Sequence, residues 1–444
     1  MGNKQKNYGL VALLPFVVFL VFYLGLSIYK NDFYSVPMPI AFIVASATAF
    51  LINIKEKLND KVEVFAKGMG DNNIMIMCLV FILAGAFASV AKEMGAVDAA
   101  VRIAQYLIPA NMMLCGVFLV SCFISLSIGT SCGTIGVITP IAVALALKMG
   151  IQVELMLGAV VGGSMFGDNM SMISDTTIAA TRTQSVAMRD KFITNLRIAV
   201  PAAIVAILLY ISLGSSANAT VVDSVTKLTL EDIFLVIPYV FVLIFALVGV
   251  NVMSVLFLGM VMTTIIGLCY KKFEFFAALQ SMGAGSLGMS ETLIVALLAG
   301  GLLGLIRYYG GISYLLAAVN RFIKGTRGCE LGVSIVVSAV NLITANNTVA
   351  IVIAGPVARE LSEKYHCNPK RIAAILDVAS CIIQGLIPYG AQILIAVGVA
   401  TNPETFGLEI SALALIKTMY YQMLMLIALI VFILISSKQR QSAK

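Results

Sequence analysis

Eight stretches of this chain are apolar over lengths suited to crossing a bilayer: residues 10–29, 36–53, 74–92, 198–213, 232–250, 251–270, 288–306 and 411–435. A helix needs about 20 apolar residues to traverse the hydrocarbon core. Inside that core every backbone N–H and C=O must find a partner within the protein. So many runs of this length therefore predict an all-α polytopic membrane protein. Of the 444 residues, 60% are hydrophobic and 11% charged, where a soluble domain carries roughly 25% charged residues. Mean hydropathy is +1.01. The first run follows Met-Gly-Asn-Lys-Gln-Lys with no small-residue cleavage site behind it, which reads as a retained first helix and not a signal peptide. With no Trp, any interfacial belt falls to Tyr and Phe.

The net charge of +7 fits cationic cytoplasmic loops better than a nucleic-acid surface. The eight cysteines form no Cys-x-x-Cys pair, and Cys78, Cys115, Cys122 and Cys381 lie in apolar runs as small packing residues. Neither a disulfide framework nor a zinc site is indicated. The single histidine, His366, sits in a charged loop. With no nucleotide fingerprint, nucleophile–base pair or metal-ligand cluster, the chain is not expected to be an enzyme, an ATP-driven pump or a cofactor binder.

Segments 157–181 and 372–400 are long enough to span but are interrupted by Gly, Pro and polar residues. Regions 112–147 and 331–357 are apolar at both ends and polar in the middle, around Ser127–Thr134 and Asn341–Thr348. Loop charge distinguishes crossings from re-entrant hairpins. If both regions are hairpins, 21 of the 29 Lys and Arg face the cytoplasm against 8 outside; if both cross, the split is 17 against 12. The positive-inside rule prefers hairpins. About ten transmembrane helices plus two re-entrant hairpins follow, with both termini cytoplasmic. The cytoplasmic set in this count includes the lysines of 55–67 and Arg182 to Arg197.

The two halves repeat one order: three helices, an amphipathic stretch, a hairpin, a broken helix and a final helix. Pro140, Leu145, Lys148 and Ser164 fall 216 residues before Pro356, Leu361, Lys364 and Ser380. Five crossings per half is odd, so the second half is inverted. We expect a single membrane transporter domain over 1–444, with a first inverted repeat at 9–213, an extracytoplasmic linker at 214–231 and a second repeat at 232–436.

The chemistry concentrates in Gly167-Asp168-Asn169-Met170-Ser171-Met172-Ile173-Ser174-Asp175-Thr176-Thr177. Two acids and four hydroxyls lie in a segment otherwise apolar enough for a bilayer. Acids there usually face an aqueous cavity, a proton or a cation. Gly158, Gly162, Gly163 and Gly167 suggest that the helix breaks near Gly167, as the discontinuous helices of secondary transporters do. Hard cations take oxygen ligands. Asp168 and Asp175 are the candidate cation (metal) and proton ligands, with Ser171, Ser174 and Thr176 as oxygen donors. The competing reading is a polar helix end, with Asp175 capping it or pairing with Arg182. Position 384, a glutamine, corresponds to Asp168, so the second half keeps the break (Gln384 to Gln392) but loses the charge. Proton and Na⁺ would then compete for one anionic site.

The hairpin tips, Thr130-Ser131 and Asn346-Asn347-Thr348, read either as cavity ligands or as tight turns satisfied internally. Glu291 and Asp377 begin spanning runs and read as interfacial residues. Glu93 reads as a surface partner of Lys92, and Gly300-Gly301-x-x-Gly304 as helix packing.

At Gly167-Asp168-x-Met170-Ser171-x-x-Ser174-Asp175-Thr176-Thr177 the chain closely resembles the NhaC-type sodium/proton antiporter family, and the likeness extends to Leu386-Ile387-Pro388. The resemblance implies the wider ion transporter superfamily, with inverted repeats, paired hairpins and often a homodimer. It implies exchange of Na⁺ for H⁺, or in some members movement of carboxylates or amino acids coupled to either ion. Family members usually have a charged residue at the position of Asn169 and proline at that of Met172. Ala345-Asn346-Asn347-Thr348 stands where better-known exchangers carry a Gly-Asp pair. An amide-rich hairpin of this kind suits a substrate carboxylate or amine.

The leading expectation is a secondary active Na⁺/H⁺ antiporter of the inner (plasma) membrane. Thr130, Ser131, Asn346, Asn347, Thr348, Gln384 and Gln392 would line its cavity. The alternative is a Na⁺- or H⁺-coupled transporter of a small organic solute, an amino acid or carboxylate. A channel is disfavoured, because carboxylates in paired broken helices suit an occluded ion. Expected partners are Na⁺, H⁺, the lipid bilayer and a small solute, but no nucleic acid.

Overall fold

A computed structural model describes residues 8–30, 37–107, 109–172, 174–216, 229–247, 250–320 and 325–435. Among the described residues all regular structure is helical. The order begins α1 (Leu14–Lys30), α2 (Met38–Leu51), α3 (Leu58–Met69), α4 (Asn72–Met94) and α5 (Ala96–Leu107). It continues α6 (Met113–Ile128), α7 (Ser131–Met149), α8 (Val153–Met170), α9 (Asp175–Gln184) and α10 (Met188–Ser216). Next come α11 (Leu230–Leu247), α12 (Val252–Cys269), α13 (Phe275–Leu287), α14 (Ser290–Tyr308) and α15 (Gly311–Asn320). The last six are α16 (Gly325–Thr344), α17 (Asn347–Lys364), α18 (Pro369–Gln384), α19 (Ala391–Thr401), α20 (Ala412–Ile416) and α21 (Tyr420–Ile435).

Four described helical segments are both long and apolar enough to cross a membrane alone: Ile74–Met94, Ser131–Met149, Met188–Gly214 and Gly325–Thr344. Shorter apolar helices, among them Met38–Leu51, Met253–Cys269 and Tyr420–Ile435, accompany them. With its apolar composition, this makes the chain an integral membrane protein. Most of the 214–231 segment, residues 217–228, lies outside the described residues.

Helix boundaries recur at a fixed spacing. α1, α7, α8 and α9 begin at Leu14, Ser131, Val153 and Asp175; α11, α17, α18 and α19 begin 216 residues later. Local chemistry explains several of these starts. The side chains of Ser174, Asn346 and Asn368 accept backbone N–H bonds as N-caps of α9, α17 and α18, satisfying donors that a helix end leaves orphaned. α6 ends at Gly129 with φ +73°. Its counterpart after α16 is Ala345, held at φ +48°, a left-handed conformation that strains any residue with a Cβ.

α3 packs along α14, and α4 along α13. Both contacts run through glycine. Gly68 meets Gly300 and Gly301, and Gly85 meets Gly285; a Cβ on Gly68 or Gly85 would stand 2.4 Å from the opposing carbonyl oxygen. Backbones can approach this closely only where side chains are missing. The Gly300-Gly301-x-x-Gly304 pattern is thus a packing face, as its spacing predicts.

Two lysines depart from the sequence reading. Lys61, counted among the cytoplasmic loop cations, is buried within the protein. Its Nζ donates to the carbonyls of Phe50 at 2.7 Å and Ile52 at 2.9 Å. A cation there satisfies the orphaned carbonyls at the end of α2. Lys92 does not pair with Glu93; its Nζ donates to the carbonyls of Glu404 and Thr405.

Candidate functional site

The interruption between α8 and α9 lies later than the glycines suggest. α8 runs without a break through Gly158, Gly162, Gly163 and Gly167 to Met170. These glycines face neighbours at contact distance. A Cβ on Gly163 would lie 2.3 Å from the Phe118 carbonyl oxygen, and one on Gly167 2.4 Å from the Leu126 nitrogen. Gly163 and Gly167 are the seam that lets α8 press against α6, while Gly158 meets Thr418 and Gly162 meets Tyr421. The helix stops at Ser171, whose backbone is extended, and restarts at Asp175 under the Ser174 cap. Ile173 lies outside the described residues.

Asp168 therefore sits on the last turn of a helix, 5% exposed. Its carboxylate accepts two hydroxyl bonds, from Ser131 at 2.8 Å and from Ser174 at 2.5 Å. From Ser131 a chain of bonds runs into the other half. Gln392 Nε2 donates to Ser131 Oγ at 3.0 Å, and Gln384 Nε2 donates to Gln392 Oε1 at 2.8 Å and to the Ala345 carbonyl at 3.0 Å. One hydrogen-bonded line thus joins both helix interruptions and the α6–α7 and α16–α17 turns. The Gln384 Oε1 atom is buried and accepts no hydrogen bond from the described residues.

These groups border one cavity of about 490 Å³. Its lining includes Thr130, Ser131, Asp168, Asp175, Thr176, Asn346, Asn347, Thr348, Gln384 and Gln392. α4 closes one wall with Ile76 and Val80, and Asn251 at the start of α12 contributes a polar edge. Asp175 differs from Asp168 in burial: it is exposed, in the first turn of α9. Ser174 lies behind the lining, against Asp168 and 3.0 Å from the Thr176 hydroxyl. Ser171 is buried off the cavity, its carbonyl accepting the Thr177 hydroxyl at 2.7 Å. The tips also carry internal bonds: Asn346 Oδ1 caps Val349 at 2.9 Å, and Asn347 Oδ1 accepts the Thr348 N–H at 3.0 Å.

Beside this cavity lies a buried ion pair that the sequence reading missed. Asp377 is not interfacial but fully buried, and Lys191, counted there among cytoplasmic cations, is 1% exposed and salt-bridged to it. Lys191 Nζ also donates to the Asn169 carbonyl and the Thr177 hydroxyl, each at 2.7 Å. The second Asp377 donors are the side-chain amides of Asn169 at 3.1 Å and Asn195 at 3.0 Å. The signal available in the sequence was modest: an acid in the run after Pro369, and a lysine one residue beyond Asp190 at the start of a spanning helix.

Burial of acids elsewhere follows one rule. Asp377 has Lys191, Glu330 has Arg371 and Asp232 has Arg102. Among the described residues, Asp168 is the buried acid with no basic partner. An ionised carboxylate held away from water without a counter-charge is costly. Two hydroxyl donors reduce that cost, and a proton or a cation would remove it.

Helices that stop inside an apolar bundle to turn oxygen ligands toward a cavity are the architecture of secondary transporters, and that is the class of membrane protein present here. Its family is equally defined. Residues 6–215 and 224–437 match the model of the Na⁺/H⁺ antiporter family, and the chain belongs to that family. Similar relatives include the malate-2H⁺/Na⁺-lactate antiporter of Bacillus subtilis, 22% identical over 87% of this chain and 88% of the relative. The Na⁺/H⁺ antiporter NhaC of Bacillus subtilis is 27% identical over 85% of this chain and 90% of that one. NhaC of Alkalihalophilus pseudofirmus is 23% identical over 88% and 89%.

Proposed function

We propose that this protein exchanges Na⁺ for H⁺ across the cell membrane, with Asp168 as the carboxylate both ions visit in turn. The carrying observation is that Asp168 alone among the described buried acids lacks a basic partner. Ser131 and Ser174 suit both states of the acid. A hydroxyl donates to an ionised carboxylate, and it accepts from a protonated one or turns its lone pairs to a cation. When Na⁺ arrives, Asp168 releases its proton to the water side; when Na⁺ leaves, a proton replaces it. The unpartnered Gln384 Oε1 supplies a neutral oxygen from the second half. Asp175, exposed at the cavity, draws cations toward it, with Thr176 beside it.

The same reading takes ten crossings and two re-entrant hairpins, arranged as two inverted repeats with cytoplasmic termini. The 216-residue recurrence of helix starts and the reciprocal glycine contacts support it. The test is Na⁺-driven proton flux in proteoliposomes containing Asp168→Asn. Exchange is expected to vanish, and undiminished flux would remove Asp168 from the mechanism.

A second reading has its own observation. The cavity, about 490 Å³, is far larger than one ion and falls within the usual range for small-molecule sites. Its amides, Asn346, Asn347, Gln384 and Gln392, suit the carboxylate or amine of an organic solute coupled to Na⁺ or H⁺. A thermal-shift panel of amino acids and organic acids decides: stabilisation by one of them supports solute transport, and a flat response leaves ion exchange alone.

A further inference from the structure

A second cavity, also about 490 Å³, opens on the outer surface between α10 and α21, and shares no lining residue with the first. Most of its wall is aliphatic: Val205 from α10 and Leu424, Ile427, Ala428 and Val431 from α21. Two guanidinium groups, Arg197 and Arg371, complete it.

The two arginines are differently engaged. Arg371 Nε and Nη2 grip both Glu330 oxygens at 2.7 and 2.8 Å, and its plane stacks 3.8 Å from the centre of the Phe432 ring. Nη2 also donates to the Phe432 carbonyl at 3.1 Å, and among the described residues Nη1 makes no hydrogen bond. Arg197 is exposed and makes no ion pair or hydrogen bond among the described residues. Glu330 neutralises Arg371, so the polar end of the groove carries a net charge of about +1 from Arg197.

Position decides what such a groove accepts. Arg197 lies nine residues into α10, about 13 Å along its axis, on a helix only 33% buried within the protein. An unpaired arginine on a bilayer-facing helix snorkels toward headgroups. The charged end of the same helix is marked by the Asp190–Lys370 pair at 3.0 Å, which ties the start of α10 to the start of α18. The groove therefore runs from a cationic mouth at one membrane face down an apolar trough.

The geometry points to a binding site for an anionic phospholipid. Its phosphate meets Arg197 and the free Nη1 edge of Arg371, and one acyl chain lies along Val205, Ile427 and Val431. A monoanionic phosphodiester matches the unbalanced charge of the mouth, and planar guanidinium groups are suited to phosphate oxygens. A zwitterionic lipid would bring a choline cation to the same arginines.

Binding to the purified full-length protein tests this without reference to transport. Delipidated protein is titrated with phosphatidylglycerol and with phosphatidylcholine of identical chains, read by native mass spectrometry and thermal shift. Phosphatidylglycerol is expected to bind tighter by roughly fivefold, the factor one basic side chain near an anionic headgroup is worth. Arg197→Gln should abolish that preference while leaving the lipid-free Tm unchanged. Ala428→Phe, which fills the trough and keeps both arginines, should weaken both lipids. Equal binding of the two lipids by the unaltered protein would overturn the site. So would retention of the preference in Arg197→Gln, stabilisation by inorganic phosphate matching that by lipid, or an Ala428→Phe protein that loses a dimer instead of a lipid.

Discussion

Lys191 and Asp377 form an ion pair with neither side chain more than 1% exposed, joining the start of α10 to the middle of α18. All three ammonium donors are used, since Lys191 also serves the Asn169 carbonyl and the Thr177 hydroxyl. The backbone carbonyl of Asn169, next to Asp168, is thus fixed by a charge from a distant helix. Lys191→Met should destabilise the protein by about 3–5 kcal/mol, because it strands a buried carboxylate. Lys191→Met with Asp377→Leu should recover most of that loss. Unfolding in detergent measures both; a single variant as stable as the double would contradict the pairing.

Removing a hydroxyl from the Asp168 shell tests how the acid is held. A hydrogen bond to a charged group is worth about 1.5–3 kcal/mol. Ser131→Ala or Ser174→Ala should therefore raise the Na⁺ concentration for half-maximal exchange about tenfold or more. Ser131→Thr keeps the hydroxyl and should keep the activity. Exchange assays at varied Na⁺ report this directly, and an unchanged half-saturation in both alanine variants would exclude the two serines.

Ala345 occupies a left-handed conformation where its counterpart Gly129 needs no Cβ. Ala345→Gly should stabilise the protein by about 1 kcal/mol, through relief of strain partly offset by backbone entropy. Gly129→Ala should cost a similar amount. The pair is read from melting temperatures, and a destabilised Ala345→Gly would mean that the methyl group supplies packing outweighing the strain.

Gly167 tests the α6–α8 seam. An added Cβ would meet the Leu126 nitrogen at 2.4 Å and the Cys122 carbonyl at 2.5 Å, both rigid backbone. Gly167→Ala should cost about 1–3 kcal/mol and reduce transport by displacing Asp168 next door. Gly283→Ala is the control. Nothing lies within 4 Å of its Cβ position, so in mid-helix it should be neutral or stabilise by up to about 1 kcal/mol. Equal effects of the two substitutions would argue against a steric role for Gly167.

Polarity inside apolar runs made much of this molecule legible. Asp168, the Thr130–Ser131 and Asn346–Thr348 turns and the Gln384–Gln392 segment each interrupt hydrocarbon character, and all of them border the cavity. Residues whose meaning depends on a distant neighbour were not legible. A glycine looks the same whether it ends a helix or admits another backbone, so Gly163 and Gly167 read as a break while the chain stays helical. Lys191, Lys61 and Asp377 lie near the ends of apolar runs, where side-chain direction is undetermined by sequence. Only packing shows that each turns inward, Lys191 and Asp377 toward each other and Lys61 toward carbonyls at the end of a helix.

The glycine contacts at Gly68–Gly300 and Gly85–Gly285 have a mechanical meaning. Where two backbones touch, neither helix has clearance to slide or roll past the other without collision. α3, α4, α13 and α14 are thereby welded into a stator. A rearrangement that admits an ion from alternate sides would then be expected to hinge at the turns around Gly129 and Ala345 and at the joints after Met170 and Gln384, while this girder stands still.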